Sequence, residues 1–134
     1  MKISSEQEMV ELAGHAPRAS VIELVGDVGA GKTTFVKGLA KALGVSEPVS
    51  SPSFTISKTY ALPDGGNLVH YDFYRLNEPG LMMEDLAENI AEPRNVVVVE
   101  WGESVAEVLP QERLKVTISY NDDGTREVEY ENLS

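Results

Sequence analysis

The chain has no cysteine. Disulfides, thiolate zinc sites and thiol redox chemistry are therefore outside its reach, and a reducing compartment suits it. No apolar run approaches the roughly 20 residues that span a bilayer. Met1-Lys2-Ile3-Ser4-Ser5 is not followed by an apolar stretch, so no secretory leader is expected. The expectation is a cytoplasmic protein without a membrane anchor. Basic side chains are scarce: 11 Lys and Arg stand against 22 Asp and Glu, a net charge of −11. That balance argues against a broad basic face gripping nucleic acid unaided. It leaves room for a complex in which a basic partner holds the nucleic acid. Internal repeats and low-complexity tracts are also missing, and 134 residues make one domain, 1–134, large enough for a core of its own.

What the chain does have is Gly26-Asp27-Val28-Gly29-Ala30-Gly31-Lys32-Thr33, which reads G-x-x-x-x-G-K-[ST], the phosphate-binding P-loop. A polyphosphate needs a concave ring of backbone N–H donors, and glycines let the backbone bend and approach closely enough to form one. Residues 27–31 supply that ring. Lys32 reaches the β- and γ-phosphates as a point charge, and the Thr33 hydroxyl is placed to hold Mg²⁺. The flanks agree. Val21-Ile22-Glu23-Leu24-Val25 suits a buried strand. Thr34, Phe35, Val36, Leu39, Ala40 and Leu43 recur at helical spacing, and Gly44 is a stop. The helix N-terminus would turn its free N–H groups toward the phosphates.

In chain order, Ser4 to Ala13 reads as a short helix, with Ser5 and Glu8 in capping-box relation. Residues 45–55, rich in serine and proline, read as a loop whose Ser53 or Thr55 hydroxyl can face Mg²⁺ or phosphate. Ile56 to Leu62 and Asn67 to Tyr74 flank Pro63-Asp64-Gly65-Gly66 as a β-hairpin. Its second strand carries His70, a lone histidine that reads as structural, and a carboxylate, Asp72. Arg75 follows, as an internal cation toward phosphate or a carboxylate's partner. Asn77-Glu78-Pro79 and Gly80 read as a turn, with a helix after it through about Ile90 and the adjacent Met82 and Met83 as packing. Val96-Val97-Val98-Val99-Glu100 is the clearest buried strand, and a carboxylate directly after such a strand is the Walker B arrangement. Trp101 follows at the carboxyl end, where ligands collect in open α/β sheets. Ser104 to Leu109 reads as a short helix, and 114–120 with 126–131 as a C-terminal hairpin.

The P-loop, Asp72 and Glu100 can together supply a phosphate cradle, a metal site and a group that orients water. Either carboxylate can hold the metal while the other positions water. No Asn-Lys-x-Asp guanine-recognition pattern occurs, which favours adenine.

Four segments carry a resemblance: the P-loop with Thr34, then Ser51-Pro52-Ser53-Phe54-Thr55, then Tyr71-Asp72-Phe73-Tyr74-Arg75-Leu76, then Glu100-Trp101. In this order they resemble the bacterial ATPases of tRNA threonylcarbamoyladenosine biosynthesis, the TsaE (YjeE) family. The resemblance implies an α/β, P-loop NTPase-like three-layer fold with a mixed, mostly parallel central sheet and a C-terminal β-hairpin. It implies ATP or ADP with Mg²⁺, hydrolysis that is weak in isolation, and partnership with the TsaD–TsaB transferase pair, with tRNA met only through those partners. It implies that Lys32, Asp72 and Glu100 are catalytic, that Thr33, Asp72 and Glu100 meet the metal, and that Asp27, Val28, Gly29, Ala30, Gly31, Lys32, Thr33, Thr34 and Trp101 bind the nucleotide. Serine replaces the family's usual threonine at Ser53 and keeps the hydroxyl, and Gly102 stands where a proline commonly follows Glu-Trp. Two other readings share the P-loop: a small-molecule kinase, and a nucleotide-gated binding module without turnover.

Overall fold

The computed structural model describes residues 1–17, 19–26, 31–50, 52, 56–73, 80–101 and 105–133. The strands are β1 (Lys2–Ile3), β2 (Val21–Val25), β3 (Ser57–Ala61), β4 (Asn67–Asp72), β5 (Val96–Glu100), β6 (Arg113–Tyr120) and β7 (Arg126–Leu133). The helices are α1 (Glu6–Gly14), α2 (Lys32–Leu43) and α3 (Gly80–Ala91). All seven strands form one sheet in the order β1-β7-β6-β2-β5-β4-β3. Its four central strands, β6, β2, β5 and β4, pair in parallel. The edges are antiparallel: β3 pairs with β4 on one side, and β6, β7 and β1 follow one another on the other. The sheet is mixed, as expected, with its parallel part at the centre.

Burial of both faces explains the parallel centre. Parallel strands persist where helices cover each face, and their sequences are apolar throughout. One face of β2, β5 and β6, through Ile22, Leu24, Val98, Leu114, Val116 and Ile118, packs with Phe35, Val36 and Leu39 of α2 and Met9 and Ala13 of α1. The other face, through Val21, Val69, Tyr71, Val97 and Val99, packs with Leu86 of α3 and with Val105 and Leu109. Helix, sheet and helix make the three layers. Each fully buried Phe, Leu or Val side chain contributes about 1.5–3 kcal/mol relative to exposure.

Local chemistry sets the element ends. The Ser5 hydroxyl accepts from the Glu8 N–H at 3.1 Å and caps α1. Gly44, at φ 89°, ends α2 in the left-handed conformation that glycine adopts without strain. Gly38 lets the two helices of one layer meet: a Cβ there would stand 2.4 Å from the Val10 carbonyl oxygen.

Three local expectations are corrected. The helix expected from Ser104 is not seen in the described residues 105–109. They make i→i+3 bonds, Val108 N–H to the Val105 carbonyl and Leu109 N–H to the Ala106 carbonyl, which are tight turns. Pro110 forestalls a longer run by having no N–H to continue it. Strand β4 ends at Asp72 rather than Tyr74. Strand β1 was not expected at all; Lys2 and Ile3 pair with Glu127 and Arg126, far along the chain. Among the described residues no helix is long and apolar enough to cross a membrane.

Candidate active site

The site is at the carboxyl ends of the parallel strands. β2 runs out into Gly26, and α2 starts at Lys32 directly behind Gly31. Gly31 has φ 108°, a conformation that side chains rarely adopt, and a Cβ there would meet the Met9 side chain of α1 at 3.3 Å. Gly31, the N-cap of α2, has no side chain with which to cap the helix. That terminus carries the positive end of the helix dipole.

Lys32 is only 6% exposed. A buried ammonium must find partners. Its Nζ donates to the Gly26 carbonyl oxygen at 2.7 Å, stands 3.4 Å from Oε1 of Glu100, and lies 4.3 Å from the centroid of the Trp101 ring. Glu100 is itself buried and is the last residue of β5. Its other oxygen, Oε2, meets Nε2 of His70 on β4. His70 is fully buried, and its Nδ1 has no hydrogen-bond partner among the described residues.

Sheet register brings the second carboxylate in. Asp72 is the β4 partner of Glu100, and Leu24 is its β2 partner. Paired residues project to the same face of a sheet, so both carboxylates stand on the α2 side with His70 and Leu24. The Asp72 N–H donates to the Ile56 carbonyl oxygen at 2.7 Å. Two non-glycine residues hold positive φ in this region: Ile56 at 68°, before β3, and Trp101 at 59°, immediately after Glu100. For a branched side chain such as Ile56 this is a strained backbone, and such strain collects at functional sites.

Glu100 and its register partner Asp72 are the carboxylates that could hold a divalent ion here. Among the described residues no group of three or more His, Cys, Asp and Glu converges on a metal position. Two carboxylates beside a lysine and a helix N-terminus match Mg²⁺, which takes one or two carboxylates and completes its shell with water and phosphate oxygens.

A family model described as "Threonylcarbamoyl adenosine biosynthesis protein TsaE" matches residues 3–128. The chain belongs to the TsaE family. The tRNA threonylcarbamoyladenosine biosynthesis protein TsaE of Bacillus subtilis is 42% identical to it over 122 residues, covering 88% of this chain and 73% of that protein. The TsaE of Treponema pallidum is 39% identical over 109 residues, covering 81% of this chain and 79% of its own. A crystal structure of YdiB from Bacillus subtilis superposes with a TM-score of 0.77 at 34% identity, covering 100% of this chain and 84% of that one.

Of the residues singled out in sequence, this TsaE-family chain brings Lys32, Glu100, Trp101 and Asp72 together, with Gly31, Thr33 and Thr34 at the start of α2. Asp27, Val28, Gly29 and Ala30 of the P-loop lie outside the described residues, as do Ser53, Thr55, Arg75 and Gly102. Sequence reasoning set His70 aside as structural, yet it touches the Walker B carboxylate. The available signal was its spacing: His70 is two residues before Asp72, so both side chains leave the same face of one strand.

Proposed function

We propose that this chain is an Mg²⁺-dependent ATP-binding and ATP-hydrolysing subunit that supports N6-threonylcarbamoyladenosine modification of tRNA in the cytoplasm, working with the TsaD–TsaB transferase pair. The convergence of Lys32 with Glu100 and its register partner Asp72, at the N-terminus of α2, carries this reading. Membership of the TsaE family supplies the pathway. The net charge of −11 favours meeting tRNA through partners rather than directly.

Bound Mg²⁺ supplies charge neutralisation and a fixed geometry for the phosphate oxygens. Thr33, Asp72 and Glu100 are the side chains that would hold it. Lys32 exchanges the Gly26 carbonyl and the Glu100 carboxylate for phosphate oxygens, which bear more charge. The first N–H groups of α2 donate to the same anion. The two carboxylates divide metal holding and water orientation between them, and Trp101 shields the ammonium from bulk water. Positioning and electrostatics do the chemistry, with no covalent intermediate on the protein.

The deciding experiment measures ATP hydrolysis with Mg²⁺, for the chain alone and with TsaD–TsaB, using Lys32→Ala as the blank. A slow rate that rises with the partners and vanishes in the variant is the expected result. A rate indifferent to the partners, or γ-label appearing on a small metabolite instead of free phosphate, would turn the reading toward an independent switch or a kinase.

A further inference from the structure

Among the buried titratable groups that the mechanism above leaves unused, His70 alone is shown touching one of its carboxylates. It lies on β4 between Val98 of β5 and Lys58 of β3 in register, in the middle of the sheet. Buried polar atoms are normally hydrogen-bonded, and each exception calls for an explanation. This histidine satisfies Nε2 alone, on Glu100, and leaves Nδ1 without a partner among the described residues. Nε2 donates in this bond when the carboxylate is ionised, because an ionised carboxylate only accepts.

The two oxygens of Glu100 therefore have different fates. Oε2 is tied to a ring that cannot move, because the imidazole is enclosed within the sheet's α2-side layer. Oε1 faces Lys32, whose long side chain can swing to a phosphate. Without His70 the carboxylate could rotate about its own side chain and follow the ammonium. With it, the departure of Lys32 leaves Oε1 facing the phosphate cradle and Oε2 behind it.

We infer that His70 is a positioning residue, which locks Glu100 so that a single oxygen, Oε1, is presented to the nucleotide site. This rests on the ATP-hydrolysing reading and deepens it. On the proposed reading, nucleotide affinity comes from the P-loop, Lys32 and the α2 N-terminus, and among the described residues the hydrogen bond shown for the His70 side chain goes to Glu100 instead. The loss of His70 should therefore act on turnover and spare binding. Partners that orient a functional ligand in this way are typically worth about 10–100-fold when removed.

The test compares His70→Leu with His70→Gln, whose amide nitrogen can reach the ε position. Trp101, the chain's sole tryptophan, reports binding of a non-hydrolysable ATP analogue by fluorescence. For His70→Leu the expected result is kcat reduced about tenfold or more, analogue affinity within about twofold of wild type, and substantial recovery in His70→Gln. An activity-independent readout comes from proton NMR, which is simple in a chain with two histidines. A downfield imidazole N–H signal should be present in the wild type and lost in Glu100→Gln. Unchanged kcat in His70→Leu beside a dead Lys32→Ala would overturn the positioning role and leave the ATPase reading standing. So would kcat and affinity falling together without rescue by Gln, or an N–H signal indifferent to Glu100→Gln. A wild-type protein that neither binds the analogue nor releases phosphate would overturn both.

Discussion

At the scale of the residue, burial decides which polar groups matter. Tyr71 is fully buried, and its hydroxyl donates to Asp85 at 2.5 Å and accepts from Asn89 at 2.7 Å. Burial first, and the Asp85 carboxylate second, push its pKa well above the ordinary phenol value. Burial raises Tyr130 as well. A group whose folded pKa is raised contributes stability that is complete below the unfolded value, about 10 for tyrosine, and fades as pH rises through the folded value. Alkaline titration of phenolate absorbance should therefore show Tyr71 and Tyr130 ionising above the ordinary phenol range. Five tyrosines titrating together in the native state would contradict the burial described for Tyr71.

At the scale of the element, α1 and α2 approach each other backbone to backbone. The 2.4 Å that a Cβ on Gly38 would leave to the Val10 carbonyl oxygen is far inside van der Waals contact, and the obstacle is backbone. Gly38→Ala would raise helix propensity in isolation, but here the steric term wins. Forcing apart two packed helices typically costs about 1–3 kcal/mol. Urea unfolding should show a lower midpoint with an unchanged slope. A neutral or stabilised variant would mean that α1 rides on α2 more loosely than the packing of Met9 and Ala13 indicates. The same contact matters for the site, because α1 sets Met9 against Gly31 at the N-terminus of α2.

At the scale of the whole molecule, the sheet's two ends differ in what holds them. The end at the α2 N-terminus is organised by the buried contacts of Lys32 and His70 with Glu100, whereas the β1–β7 edge is tied at the surface. Lys2 Nζ stands 2.7 Å from Asp123, and the Thr125 hydroxyl and N–H both donate to the same aspartate. The Lys2 hydrogen bond, followed by those from Thr125, holds the Asp123 carboxyl well below the usual carboxylate range. A depressed carboxylate contributes stability above its unfolded value, about 3.9, and loses it as pH falls through the folded value. Both groups are exposed, so the effect is local and weakened by salt. Amide exchange at Ile3 should accelerate in acid well before exchange at Val98 in the core. Simultaneous loss of protection at both positions would show the edge to be as cooperative as the centre.

How much of this was legible in the chain follows from how far each cause reaches. The strand from Val96 to Glu100, the capped α1 and the hairpin of β6 and β7 are written in neighbouring residues. Their turn chemistry and periodicity act over a few positions, and sequence alone determined them. Lys32, Asp72 and Glu100 could be named for the same reason. Strand β1 could not be found, because two residues hold no period and their partner is far away in the chain. Only the tertiary structure decided that β4 lies beside β5, which makes Asp72 and Glu100 register partners and sets His70 against a carboxylate thirty positions later. Strand neighbours are chosen by the joint burial of both sheet faces, a property of the assembled layers that no short stretch of sequence contains.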